Sequence, residues 1–316
     1  MLAALAETLR GARSLAHKAD IAPVLNRLRP AGHGEIRVGD DCAAIPDGEG
    51  FLLLAIEGFL PAFVAAEPRF AGWSGVMVNL SDIAAMGGRP IAVVDAVWGE
   101  SVAAAAPMLE GLNSAALAYG VPVVGGHSNM RAESPGLAVA VLGRARALLT
   151  SFDARPGDRL IAAIDLRGRM RDPHPFWDAS SEAPAARLRG DLEILPAIAE
   201  AGLCRAAKDI SNAGLVGTAA MLMECSGIGG TIDLHAVPRP DGMALESWLL
   251  CFPSFGFLLA VPQGKAEAVM ARFAARGIAA AAIGTCDNTR VLAVAAGDAC
   301  EVIWRFADAP LLGAVQ

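Results

Sequence analysis

The chemistry-bearing residues of the first half are acidic and closely grouped. Asp40 and Asp41 follow Gly39, and Glu57 lies beyond the turn-forming run PDGEG (46–50). If the apolar stretches of 36–57 pair as a hairpin around that turn, antiparallel register puts Asp40, Asp41 and Glu57 at the same end. Asn79 and Asp82 are spaced i, i+3, so they share one face of a helix. That face borders the apolar stripe Val76, Leu80, Ile83. Four carboxylates and a carboxamide in one place repel unless a cation neutralises them. An oxygen-only donor set suits Mg²⁺, which keeps several waters and bridges to substrate phosphates. A polyphosphate held through Mg²⁺ is the natural ligand. The competing reading, solvated loop and surface charges, stays open at this point.

Two further segments carry candidates. GGHSN (125–129) follows an apolar strand, and Gly125 and Gly126 would let backbone N–H groups approach an anion closely. His127 and Ser128 of that loop could touch phosphate or substrate, and His127 could equally be structural. KDISNAGL (208–215) joins a strand to a helix. Ser211 or Asn212 can cap the helix, while Asp209 and the helix N-terminus could face a ligand phosphate. There is no GxxxxGK[ST] P-loop, and no GxGxxG follows a strand.

The elements that must position these residues follow from periodicity and turn residues. The hairpin is followed by a helix over 73–86, ended by Gly87-Gly88 and Pro90. A strand (91–98), a helix (107–119) and strands at 121–126 and 136–143 complete the first half. A boundary falls near RPGD (155–158), giving domains 1–150 and 151–316. After a strand at 159–166, the polar stretch 167–186 reads as a long loop of the kind used as lids. The second half then alternates: helix 187–202, strand 204–210, helix 213–226, strand 231–234, strand 250–261, helix 264–276, and strands near 278–284 and 290–295. The N-terminus, MLAALAETLRGARSLAHK, reads as an amphipathic helix, with His17-Lys18 at an exposed end. The fold class is α+β, a two-domain α/β sandwich arrangement.

The bulk numbers bound the function. The 316 residues are 54% hydrophobic and 19% charged, which suits about two folded domains. The net charge is −7, so no basic stripe exists for nucleic acid. None of the six cysteines is spaced as CxxC, so they read as small buried hydrophobes of a reducing compartment. The apolar run 51–66 is interrupted by Glu57, Gly58 and Pro61 and is too short for a bilayer. The expected location is the cytoplasm, with no membrane partner.

Taken together, these stretches resemble the AIR synthase superfamily, whose relatives include thiamine-monophosphate kinase, selenophosphate synthetase and the HypE-type hydrogenase maturation factor. The resemblance spans 36–284. VGDDCAAI (38–45) is similar to the family's GDDAAV strand, and NLSDIAAMGGRP (79–90) to its helix motif. GGHSN resembles the selenophosphate synthetase loop, and DISNAGL (209–215) the kinase DISDGL segment. SGIGGTIDL (226–234) and FGFLLAVP (255–262) fit later strands. The resemblance implies an N-terminal mixed-sheet domain that binds ATP and dimerises through its sheet, and a C-terminal α/β sandwich domain. It implies that Asp40, Asp41 and Asp82 bind Mg²⁺ on the triphosphate, supported by Asn79. Three positions depart from the kinases: Ile56-Glu57 replaces a Thr-Asp pair, His127 replaces an aspartate, and Asn212 replaces the second aspartate of DISD.

The expected function is Mg-ATP-dependent phosphoryl transfer to, or activation of, a small-molecule acceptor by a homodimer. Metal ligands would be Asp40, Asp41, Glu57 and Asp82. Gly125, Gly126, Asn79, Ser128 and Asn212 would bind cofactor, and Asp209 and His127 would handle the acceptor. The alternative is a nucleotide-binding maturation or assembly factor with no turnover of its own.

Overall fold

The computed structural model describes residues 1–28 and 36–313. Three helices open the chain: α1 (Leu2–Arg10), α2 (Arg13–Lys18) and α3 (Ile21–Leu28). Next come β1 (Ala43–Asp47), β2 (Gly50–Phe59), α4 (Pro61–Ala66), α5 (Pro68–Ala85), β3 (Gly88–Trp98), α6 (Val102–Tyr119), β4 (Val123–Asn129) and β5 (Gly136–Ala145). The second half runs β6 (Arg159–Ile164), β7 (Arg169–Arg171), β8 (His174–Asp178), α7 (Ala185–Leu192), α8 (Ile194–Glu200), β9 (Ala206–Asp209), α9 (Gly214–Ser226) and β10 (Gly229–Asp233). It ends with α10 (Leu245–Leu249), β11 (Phe252–Pro253), β12 (Gly256–Val261), α11 (Ala266–Ala274), β13 (Ala279–Asp287), β14 (Val291–Ala296) and β15 (Ala299–Arg305).

The hairpin expected around PDGEG is present: β1 pairs antiparallel with β2, Ala43 opposite Leu54 and Asp47 opposite Gly50. Gly48 takes a left-handed φ of 60° in its turn, a conformation glycine adopts at no steric cost. The five-stranded sheet runs β1-β2-β5-β3-β4, antiparallel except for β3–β4. Alternate residues face opposite ways. Leu53, Ala55, Val93, Val97, Val139 and Val141 are buried on the helix-covered face. On the other face Leu54, Ile56, Val94 and Leu142 are exposed.

α5 begins with Pro68 in its first turn, where the missing N–H costs nothing, and every residue from Phe70 to Ala85 is buried. α6 starts earlier than its Pro107 suggested. Ser101 caps it by accepting from the Ala104 N–H at 3.2 Å, and the alanine run before Pro107 is already helical. The two helices pack backbone to backbone. A Cβ on Gly72 would lie 1.9 Å from the Met108 carbonyl oxygen, and one on Gly111 would lie 1.9 Å from that of Arg69.

The compact units are discontinuous in sequence. A five-stranded unit comprises 41–148 and 180–197; a seven-stranded unit comprises 1–40, 149–179 and 198–316. The sequence reading expected a single cut at 150. Instead the first forty residues belong with the second half, where α1 packs on β15. α7 belongs with the first half, where Arg189 donates to the Leu117 and Ala118 carbonyls at the end of α6. Local composition carries no trace of such exchanges.

In the seven-stranded unit the sheet runs β15-β14-β10-β13-β6-β12-β9. α9 packs against it and is buried along nearly its whole length. The stretch expected to be a long loop forms β7 and β8, which join β11 in a three-stranded sheet. Trp177 of β8 packs edge-on against Trp248 with ring centroids 5.3 Å apart. The helix expected over 187–202 is two helices, and the strand expected over 250–261 is two short strands. Burial pushes the thiols of Cys204, Cys251 and Cys286 up to about 12, so none of these three is a thiolate at neutral pH. Among the described residues, no helix is long and apolar enough to cross a membrane.

The α5–α6 crossing allows a direct test. A methyl at Gly72 or Gly111 meets rigid backbone oxygen and forces the helices apart. Gly72→Ala or Gly111→Ala should each destabilise by at least about 2 kcal/mol, at the upper range of overpacking. Urea denaturation followed by circular dichroism measures it.

Candidate functional site

α5 delivers the central acidic group. Asp82 is 6% exposed, near the end of a helix buried on all sides. Asp41 reaches it from the segment preceding β1, and their carboxylate oxygens lie within 4.8 Å of one another. The Cys42 N–H donates to Met86 Sδ at 3.0 Å, tying that segment to the end of α5. Two negative charges at this separation repel each other by about 3 kcal/mol at an effective dielectric of about 20, before any neighbour's contribution.

Asn79, one turn earlier on α5, is fully buried. Its amide nitrogen donates to the Gly75 carbonyl at 2.8 Å. Its Oδ1 accepts from nothing among the described residues. A buried carbonyl oxygen with no donor costs free energy that a cation or its water would recover. An all-oxygen donor set with excess negative charge and an unsatisfied acceptor on the same helix fits a hard divalent cation such as Mg²⁺.

The other expected ligands are elsewhere. Glu57 sits on the helix-facing side of β2, half-buried and opposite Val139, and does not join the Asp41–Asp82 pair at that distance. Asp40 belongs to the seven-stranded unit, where both its oxygens accept from Ser151: the N–H at 2.8 Å and the hydroxyl at 2.5 Å.

GGHSN is not a loop. Gly125, Gly126, His127, Ser128 and Asn129 continue β4, pairing with Val94 to Trp98 of β3. Strand pairing uses backbone groups alone, so two glycines and polar side chains do not end it. Neither glycine has a positive φ, so the alternating backbone of an anion-cradling nest is not formed here. β1 and β4 are opposite edges of the sheet, roughly 19 Å apart at the usual strand spacing. Within one copy, the glycine strand and the edge bearing Asp41 do not meet.

Gly126 instead makes room for a residue the sequence reading missed. A Cβ there would lie 2.5 Å from Asp95 Oδ1. Across the sheet, Glu57, Val139, Asp95 and Gly126 form one row. Burial raises the Asp95 carboxyl above its ordinary value. The signal was available: a lone carboxylate inside the apolar strand IAVVDAVW is informative wherever it occurs.

In the seven-stranded unit, Asp209 ends β9 and is 3% exposed. Neither Ser211 nor Asn212 caps α9 through its side chain. The capping position is Ala213 in a left-handed conformation, and Asn212 Oδ1 accepts from the Ala213 N–H. Gly214 follows with a φ of 63°, where a Cβ would lie 2.3 Å from the Leu249 carbonyl oxygen. Lys18 is not a loose helix end: its ammonium donates to Ser211 Oγ at 3.3 Å.

Comparison with known proteins gives the family. The AIR synthase related protein N-terminal domain matches residues 39–145 and its C-terminal domain matches 172–297. An uncharacterised protein of Synechocystis is 45% identical over 99% of this chain and 98% of its own. The chain belongs to the AIR synthase-related family. A thiamine-monophosphate kinase of Halobacterium salinarum is 29% identical over 74% of this chain and 83% of its own. PurL of Thermotoga maritima, solved in complex with ATP, shares the fold with a TM-score of 0.76 at 19% identity, over 92% of this chain. This chain covers 50% of that longer PurL chain.

Asp95 gives a pH test. Its folded-state value lies above the unfolded one, so the native state binds the extra proton. Its contribution to stability is therefore most favourable below the unfolded value of about 3.9 and falls as pH rises through the folded value. Asp95→Asn lacks that fall. Thermal melts from acid to neutral pH should show the variant gaining on the wild type as pH rises, and parallel curves would exclude the effect.

Proposed function

We propose that this protein binds ATP as its Mg²⁺ complex and uses it to phosphorylate or activate a small-molecule acceptor. One observation carries the reading: the Asp41–Asp82 oxygen pair at the end of a buried helix, on which Asn79 keeps an unsatisfied oxygen. A Halobacterium relative named as a kinase and the family membership support it.

In this reading Asp41 and Asp82 hold the cation, Asn79 accepts from its water shell, and Glu57 adds negative charge from β2. When bound, Mg²⁺ neutralises charge on the transferring phosphoryl group. The chain's own contribution is positional: it holds phosphate and acceptor in line. Asp209 orients or deprotonates the acceptor, and Asn212, three residues further along, contributes to cofactor binding.

The protein acts as a homodimer through the open face of the five-stranded sheet. Leu54, Ile56, Val94 and Leu142 expose a contiguous apolar surface that a second copy would cover. A two-fold axis parallel to the strands lays the partner's β4 over β1. Gly125, Gly126, His127 and Ser128 then serve the other copy's nucleotide. The setting assumed is the cytoplasm, with neither nucleic acid nor membrane as partner.

Mg-ATP should raise the melting temperature by several degrees, since a ligand at 100 times its Kd adds about 2.7 kcal/mol. The rise should need magnesium and vanish in Asp82→Ala. No rise in the wild type removes ATP from the reading; a rise without turnover on any acceptor favours an assembly factor.

Sedimentation tests the dimer separately. Ile56→Glu places a charge on the exposed apolar face, and should shift the proposed dimer to monomer. A monomeric wild type ends the proposal.

A further inference from the structure

Asp40 and Asp41 are adjacent, yet their carboxylates serve different neighbours. Asp41 lies by Asp82. Asp40 is clasped by Ser151, whose backbone N–H and hydroxyl each take one of its oxygens. Ser151 is fully buried and Asp40 half-buried, so the bonds are only partly open to water. Its carbonyl accepts from Ser226 Oγ at 2.7 Å, and that oxygen accepts from the Ala154 N–H at 3.1 Å. The ammonium of Lys208, 6% exposed, donates to the same Ser151 hydroxyl at 3.4 Å. All these groups belong to the seven-stranded unit. A divalent cation on Asp40 would have to share oxygens already held by two hydrogen bonds and sit near the ammonium of Lys208, a like charge.

We propose that Asp40 is a positioning residue and not a metal ligand: clamped by Ser151, it fixes the segment from which Asp41 reaches the cation. The inference rests on the reading that Asp41 binds that cation, and it reassigns a residue the family resemblance counts among the ligands. The Ser151 hydroxyl lies between the Lys208 ammonium and the half-buried carboxylate of Asp40. Asp40 thus acts on the metal only through the chain that joins it to Asp41.

The test is Mn²⁺ affinity, read by electron paramagnetic resonance of the free ion, with melting temperature as the check on folding. It compares wild type, Asp41→Asn, Asp40→Asn, Asp40→Ala, Ser151→Ala and the Asp40→Ala/Ser151→Ala pair. Groups that orient a metal ligand cost about 10–100-fold in metal affinity when removed. Asp40→Ala and Ser151→Ala should each fall in that range. The pair should lose no more than the worse single change, because the two act as one unit. Asp40→Asn keeps an acceptor for the Ser151 hydroxyl and should recover part of the loss, whereas Asp41→Asn should abolish binding.

If Asp40→Asn loses as much as Asp41→Asn while Ser151→Ala binds normally, Asp40 is a ligand and the proposal is overturned. If the wild type binds no Mn²⁺, the metal reading fails, and this inference fails with it. Should Asp40→Ala not fold, Asp40→Asn against Ser151→Ala decides the question alone.

Discussion

Two carboxylates held within 4.8 Å at the end of a buried helix set the terms for the rest of the molecule. Asp82 cannot turn to solvent, because α5 is enclosed from Phe70 to Ala85. The helix is enclosed because glycines at 72 and 111 let α6 approach to backbone contact, and because the sheet covers the opposite side. Gly75 and Gly143 continue this logic: a Cβ at either would lie 2.8 Å or less from a side chain of β5 or α5. The close packing that buries Asp82 thus rests on small residues, and the acidic pair it helps to place would suit a cation. Packing and chemistry are one constraint here.

Much of this was legible in the chain. The hairpin followed from its turn residues, and the long helix from the spacing of Val76, Leu80 and Ile83. Asn79 and Asp82 were readable as one helix face because i, i+3 spacing is local. What escaped was non-local or short. The exchange of 1–40 and 180–197 between units has no local signature. β7 has three residues, too few to establish an alternation. β15, ACEVIWR, mixes charge with apolar residues and gives no clean period.

GGHSN failed for a different reason. The reading took two glycines as a break in the strand, but a strand needs only backbone donors and acceptors, and β3 supplies them. Gly126 answers to Asp95 and not to a turn: the residue is small because a carboxylate lies where its Cβ would be. The same observation changes the electrostatics of the segment. A phosphate approaching Gly126 from the helix-facing side would meet Asp95. An anion reaching this strand therefore has to come from its exposed face or arrive with its charge already offset by a cation.

The apolar strands carry a further argument. IAVVDAVW and GLAVAVLG are nearly continuous in apolar residues, the composition of strands covered on both faces. Yet among the described residues Leu54, Ile56, Val94 and Leu142 stand exposed on the other face of the five-stranded sheet, and β4 is exposed along its full length at an open edge. Open edges invite pairing, and proteins that keep them usually place charge, proline or a covering element there. β4 carries none of these within its seven residues, VVGGHSN. The composition on the outer face and the unguarded edge thus describe the same surface from two directions. Both would be accounted for by the proposed second copy laying its sheet on this face, which would also bring the partner's glycine strand towards the Asp41–Asp82 pair.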